Sequence, residues 1–467
     1  MMTGLGNLRP YQWEGVRRIL DGSAALFFKP GLGKTATTLR AVEILKKCRP
    51  GFRTLVIAPL PVVLNTWPEE VRKWSPDLRV AVCYGSKRVE ALRSDADVYL
   101  VNAENVFWFF DEVLRFDRFP FDLLVLDEST LFKNWSAKRT VVLRKFRDLF
   151  PRVVVLTGTP TPKHVGDLFS QMFMVDGGAR LGRFVGSFRA RFGEFGGYKG
   201  KVWSPSPGAA ERIRSLISDV ALYVDRENVV DMPPRLDVVV PVVLPPEARR
   251  IYDEFETALF SELDGEEVFV PSHSHNYGVC RQIAAGGLYR PPGVFREVER
   301  TVLGVHNAKI EAVERLVGEL YGEPLLLAYL FDFNRPQLEK LGASVPHGDD
   351  KQEQISRMKK DFLAGRIPVF AVHPGSVSHG LNLHTGPGRS VAWLSPPNSL
   401  EQYIQLNERI YRPGVDSPVT IYHFIATDTV EEVVLETLRT GRDNMEVFLN
   451  GLRSEEHTSE LQSRQSI

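Results

Sequence analysis

Short, wholly apolar runs recur along the chain at 24–28, 55–58, 80–83, 98–101, 123–126 and 153–156. Between several of them, as at 35–47 and 64–74, apolar residues return every three or four positions. Runs this short, separated by amphipathic stretches, predict strands buried on both faces and alternating with helices, the signature of a parallel sheet. The same rhythm returns after residue 300, at 325–330, 369–373, 391–394 and 419–424. The stretch 177–300 breaks it with Gly177-Gly178, Pro233-Pro234 and Pro291-Pro292, and with a helical pattern at 247–262. The expected fold is α/β, with one parallel-sheet lobe over 1–176, a mostly helical or irregular insert over 177–300, and a second lobe over 301–450.

Composition narrows the class. A 43% hydrophobic, 25% charged chain of 467 residues is globular, which excludes collagen, coiled coil and wholesale disorder. Its 58 basic residues balance 58 acidic ones, so a uniformly basic coat protein is excluded, whereas a neutral enzyme with one basic groove is not. Three scattered cysteines, Cys48, Cys83 and Cys280, form neither a disulfide framework nor a zinc ribbon. With no membrane-length apolar stretch and no signal-like start, a soluble protein of the cytoplasm is expected.

The chemistry is concentrated at strand ends. After the run at 24–28 comes KPGLGKT at 29–35, a glycine turn that opens a helix near Lys34. Backbone N–H groups around Gly31 and Gly33 can wrap a phosphate there, Lys34 can reach the β- and γ-phosphates, and the Thr35 hydroxyl can ligate Mg²⁺. The run at 123–126 ends in Asp127 and Glu128. Asp127 can hold the same ion and Glu128 can polarise an attacking water, so nucleotide hydrolysis rather than binding alone is expected. A third strand runs into the small hydroxyl-rich turn TGTP at 157–160. In the second lobe, 405–414 reads QLNERIYRPG. On a helix, Arg409 and Arg412 would share a face, either as transition-state cations or as members of a salt-bridged surface.

In order, these segments resemble the Swi/Snf-type branch of superfamily 2 helicases. LRPYQ at 8–12 is similar to the adenine-reading motif, which implies that Gln12 contacts the base. KPGLGKT matches motif I, with Phe28 at the first glycine position, and IAPLPVVLNTWPEE at 57–70 matches motif Ia. DEST at 127–130 occupies motif II, with Thr130 in place of the histidine of DEAH, and TGTP is motif III. Motifs IV, V and VI fall at 325–330, 379–384 and 405–414, the last implying nucleotide contact by Gln405 and finger roles for Arg409 and Arg412. The resemblance spans about 8–435 and looks like a minimal bacterial or phage-type member. It implies two RecA-like lobes, ATP and Mg²⁺ as cofactors, and translocation on double-stranded DNA.

Family analogy implies DNA contacts at Asn102, Lys133, Thr161 and Asn382. The segment 180–201 adds Arg189 and Arg191 among interleaved aromatics, which either stack on bases or pack the insert against the first lobe. Two other readings stand beside translocation: a strand-separating helicase or restriction-type motor subunit, and a weakly hydrolysing DNA clamp. The tail 453–463, RSEEHTSELQS, back-translates to a common sequencing-library adapter and is expected to be a disordered assembly artefact.

Overall fold

The computed structural model describes residues 8–161, 165–196, 202–225, 232–257, 260–263, 266–269, 273–289, 302–347, 351–377 and 381–440. These residues fall into two compact units, within Met1–Asp231 and Met232–Thr440 respectively. The tail lies outside the described residues.

The first unit is built on β1 (Ala24–Phe28), β2 (Thr54–Ala58), β3 (Val80–Val82), β4 (Val98–Asn102), β5 (Leu123–Asp127) and β6 (Arg152–Leu156). Every residue of β1, β2, β4 and β5 is buried, which is why these strands appear as apolar runs with polar residues only at their ends. Helices α1 (Pro10–Asp21), α2 (Lys34–Cys48) and α3 (Trp67–Trp74) accompany them. Val16 and Ile19 of α1, with Leu39 and Val42 of α2, pack into one core with Leu26 and Val56. At ~1.5–3 kcal/mol per fully buried side chain, this packing fixes the sheet edge on which the site is built.

A hairpin of β7 (Gly193–Gly196) and β8 (Val202–Pro205) follows, then β9 (Ala221–Val224), which pairs in parallel with β1. The sheet order is β3-β4-β2-β5-β6-β1-β9, and all of its pairings are parallel. The second unit begins with β10 (Arg235–Val242), followed by the hairpins β11 (Phe260–Leu263) with β12 (Glu266–Phe269) and β13 (Gly287–Tyr289) with β14 (Val302–Gly304). Then come β15 (Leu325–Ala328), β16 (Val369–Val372), β17 (Ser390–Trp393) and β18 (Val419–Ala426). Its five-stranded sheet, ordered β10-β18-β17-β15-β16, is again parallel throughout.

These are the two RecA-like lobes, parallel sheets flanked by helices. The stretch between them is shared out, since β9 completes the first sheet and β10 the edge of the second. The helix expected at 247–262 spans Pro246–Thr257, and Phe260–Leu263 is a strand instead. Its Tyr252 and Phe255 pack with Val279, Ile283 and Ala426, so this part of the stretch belongs to the second unit's core.

Candidate nucleotide site

In the first sheet β6 lies between β1 and β5, with Leu26 and Asp127 both in register with Leu156. The carboxyl ends of the three strands therefore bring the glycine turn, the TGTP turn and the acidic pair to one edge. That edge is where open parallel sheets bind ligands.

The turn after β1 depends on glycine. Gly31 and Gly33 have φ of 83° and 79°, in the left-handed region. A Cβ on Gly33 would also lie 2.3 Å from Gln12 Nε2. Because α2 begins at Lys34, its first backbone N–H groups face the turn and favour an anion. Lys34 Nζ donates to Phe28 O at 2.9 Å. The back of the turn is held by α1, where Gln12 Nε2 and Tyr11 Oη both donate to Leu32 O at 3.2 Å. Gln12 Oε1 in turn accepts from Arg9 N at 2.8 Å. Gln12 thus braces the turn in this structure, with its side chain buried. On the other flank Gly158 lets the TGTP turn approach closely, for a Cβ there would sit 2.6 Å from Pro30 Cδ.

Asp127 closes β5 and is buried. Its Oδ2 accepts the Trp67 indole N–H at 2.9 Å and its Oδ1 the Glu128 amide at 3.1 Å. Burial raises the Asp127 carboxyl above its ordinary range, while the nearby Lys34 charge and the indole pull it down. Glu128 adopts φ 53°, ψ 59°, a left-handed conformation that a non-glycine residue holds only when its surroundings impose it. Thr35 is the second residue of α2 and half-buried. A hydroxyl and a carboxylate are hard oxygen donors that fit Mg²⁺ better than a softer ion.

In the second unit Gln405 is buried on the helix Leu400–Asn407, with Nε2 3.4 Å from Glu401 Oε1. The expectation that Arg409 and Arg412 lie on a helix is corrected, because the helix ends at Asn407 and both arginines follow in turns. Arg409 N turns back to Leu406 O at 2.9 Å, Pro413 cannot continue the helix, and Gly414 takes φ 102°. Arg409 Nη1 donates to Leu381 O at 3.4 Å, and Arg412 Nη1 donates to Asn382 Oδ1. Both guanidiniums thereby rest on the segment that begins at 381, while 379 and 380 of motif V lie outside the described residues.

The residues expected to touch DNA divide by exposure. Arg189, Arg191 and Asn382 are exposed and Lys133 half-buried. Asn102 and Thr161 are only 3% and 5% exposed, and Asn102 Nδ2 donates to Glu104 Oε2 at 2.7 Å. Both are therefore withdrawn from surface contact in this conformation. Of the aromatics around the arginines, Phe188 packs on Phe169 and Phe192 with centroids 4.9 and 5.0 Å apart, whereas Phe184 and Phe195 are exposed. The lysines at 199 and 201 lie outside the described residues.

Sequence reasoning missed two contributors. Trp67 stood in motif Ia without a role, and only the fold shows its N–H on Asp127. Gln171 is a lone amide inside the apolar helix Leu168–Asp176 and is fully buried against Ser129 and Pro160. A polar residue amid such a run was the available signal.

A glycine turn between a buried strand and a helix, its lysine close to a strand-end aspartate of the same sheet, defines a P-loop α/β nucleotide-binding protein. The family model described as the SNF2-related domain matches residues 12–267, more than half of the chain, and the chain belongs to that family. It is 35% identical over 468 residues to protein p41 of Acyrthosiphon pisum secondary endosymbiont phage 1, covering 95% of this chain and 98% of that protein. It is 24% identical over 497 residues to YwqA of Bacillus subtilis (strain 168), named for ATP-dependent helicase/translocase activity, covering 98% of this chain and 50% of YwqA. The chain thus spans nearly all of the phage protein and about half the length of YwqA. A solved Sulfolobus solfataricus SWI2/SNF2 ATPase core in complex with dsDNA aligns with TM-score 0.43 and 20% identity, over 96% of this chain and 95% of that one. The chain is accordingly a helicase-like protein of the SNF2 type.

Proposed function

We propose that this protein hydrolyses ATP when stimulated by DNA and uses the cycle to move along duplex DNA. The observation that carries the reading is the meeting of Lys34 and Asp127 at one sheet edge, close enough for the lysine charge to act on the buried carboxyl. In this mechanism the turn at 29–33 and the start of α2 bind the phosphates, and Lys34 leaves Phe28 O to meet them. Thr35 and Asp127 would hold Mg²⁺, which supplies charge neutralisation for the leaving phosphates when bound. Glu128 orients the attacking water and accepts its proton, while Gln12 and Gln405 contribute to nucleotide recognition. Arg409 and Arg412 exchange their contacts at 381 and 382 for the charge developing on the γ-phosphate. Lys133, Asn382, Arg189 and Arg191 bear on DNA phosphates, with Asn102 and Thr161 acting from beneath the surface.

Turnover measured with duplex, single-stranded and no DNA, with Lys34→Ala as control, tests this reading. Duplex stimulation together with triplex displacement is expected, whereas turnover indifferent to DNA would defeat it. Release of a labelled strand would favour strand separation, and ATP-dependent retention on DNA with negligible turnover would favour a clamp.

A further inference from the structure

The helix Leu168–Asp176 follows the TGTP turn and buries nearly its whole length. Gln171 is 0% exposed and Ser170 is 1% exposed. Gln171 Oε1 accepts the Ser129 hydroxyl at 2.6 Å. Its Nε2 donates to Pro160 O at 2.8 Å and to Asp167 O at 2.9 Å. The neighbouring Ser170 hydroxyl donates to Phe132 O at 2.6 Å. Two adjacent side chains therefore grip both ends of the short 3-10 turn Ser129–Phe132 that follows the acidic pair, and one of them also grips the end of the TGTP turn.

Burying an amide gains little stability, because each hydrogen bond made inside replaces one made to water. An apolar side chain would fill the same space without that desolvation cost. What the amide supplies is a two-sided connection, accepting from one turn and donating to the other.

We propose that Gln171 is a positioning residue that ties the Asp127–Glu128 turn to the TGTP turn, through Ser129 on one side and Pro160 on the other. The tie sets the placement of Glu128 relative to the turn that abuts Pro30, and therefore the rate of hydrolysis rather than the affinity for nucleotide. This rests on the hydrolytic reading above. Thr130 occupies the position that holds histidine in DEAH, and the tie runs one residue earlier.

Three full-length variants test it: Gln171→Glu, Gln171→Leu, and Gln171→Leu combined with Ser129→Ala. The first keeps an acceptor for Ser129 but presents oxygen to Pro160 O. The third replaces both partners of the shorter bond with apolar groups, which is close to neutral for stability and guards against simple unfolding. Melting temperature, affinity for a fluorescent ADP analogue, and DNA-stimulated kcat are read on each. The expected result for the combined variant is a melting temperature near that of the parent, ADP-analogue affinity within about threefold, and kcat lower by about tenfold or more. A kcat that recovers together with the melting temperature would show Gln171 to be packing alone and overturn the tie. Absence of Lys34-dependent turnover in the parent would instead remove the hydrolytic reading, and the tie with it.

Discussion

The two units share an architecture and differ in where their polar groups sit. In the first, the functional polarity is at the carboxyl edge of the sheet and is set largely by backbone: two left-handed glycines, a helix start and a strand-end aspartate. In the second, the most deeply placed polarity is structural. Lys309, 1% exposed, meets Glu431, 0% exposed, and also donates to Leu394 O and Ser395 Oγ. Ala426 N completes the cluster by donating to Glu431 Oε2 at 3.0 Å. The candidate catalytic arginines of that unit lie in turns and rest on a neighbouring segment through side-chain bonds. A site built from backbone geometry holds its shape without ligand, whereas one built from long side chains on turns can trade partners during a cycle.

That contrast is open to attack at several points. The largest effect is expected from Arg409→Ala or Arg412→Ala, each lowering kcat by ~10³-fold or more while nucleotide affinity stays near parental. Lys34→Ala should lose both. Equilibrium titration with a fluorescent nucleotide alongside steady-state turnover separates the cases, and parental kcat in both arginine variants would end their assigned role.

Next in size is Lys309→Met, which leaves Glu431 buried without its countercharge. It should cost the second unit about 3–5 kcal/mol, and the pair Lys309→Met, Glu431→Leu should recover most of the loss. Segment-resolved hydrogen exchange on the whole chain reads this unit by unit. An equal loss of protection in the first unit would contradict the division.

Acid sharpens the comparison further. His306, His384 and His423, all in the second unit, are pushed down to about 4, chiefly by burial. At His306 burial and the Lys309 charge outweigh the Nε2 bond to Ile283 O at 2.9 Å, which by itself favours the proton, while Nδ1 accepts from Ala308 N at 3.3 Å. The unfolded chain takes up these protons near pH 6.5 and the folded one only near 4. The stabilisation is thus full above about pH 6.5 and is lost as pH falls from there toward 4. In the first unit the carboxylates Glu14, Asp95, Asp97 and Asp219 are lowered, so their contribution is lost only as pH falls below the ordinary carboxylate range, while the buried Asp127 is raised and its cost is relieved on acidification. Hydrogen exchange followed from pH 7 to 5 should show the second unit loosening first, by about 4 kcal/mol in sum after discounting the partly exposed His384.

The smallest effect is expected from Trp67→Phe. It removes a hydrogen bond to the ionised form of Asp127 worth about 1.5–3 kcal/mol. The Asp127 carboxyl then rises further, so the acid limb of the turnover profile should move to higher pH, with little change at the alkaline end. An unmoved acid limb would mean that Asp127 does not govern it.

Much of this was legible in sequence, for reasons that follow from burial. The strand runs were visible because β1, β2, β4 and β5 are covered on both faces, which leaves polar residues only at strand ends, as at Thr54, Asn102 and Asp127. β10 escaped because it is an edge strand with Leu236, Val238 and Val239 exposed and Pro241 within it, a composition suited only to an edge. The phosphate turn was readable because left-handed geometry demands glycine at named positions. The helix through Arg409 and Arg412 was over-extended because spacing alone cannot show that hydrogen bonding tightens after Asn407 and stops ahead of Pro413. The partners of Trp67 and Gln171 were not legible because they lie 60 and 42 positions away and are chosen by the packing of the finished sheet, although Gln171 itself stood out as an amide in an apolar run.

The distances along the chain also set a timetable for synthesis. The last strand of the first sheet, β9, has emerged by residue 224, so that lobe can close while the rest of the protein is still being made. The second lobe has no such early finish: its edge strand β10 waits for β18, with Arg235 paired to Val419, and Lys309 waits for Glu431, 122 residues later. At roughly 5–20 residues per second, that lysine spends on the order of ten seconds without its countercharge. The nascent second lobe is therefore the half of the molecule that most needs shelter from its neighbours on the polysome.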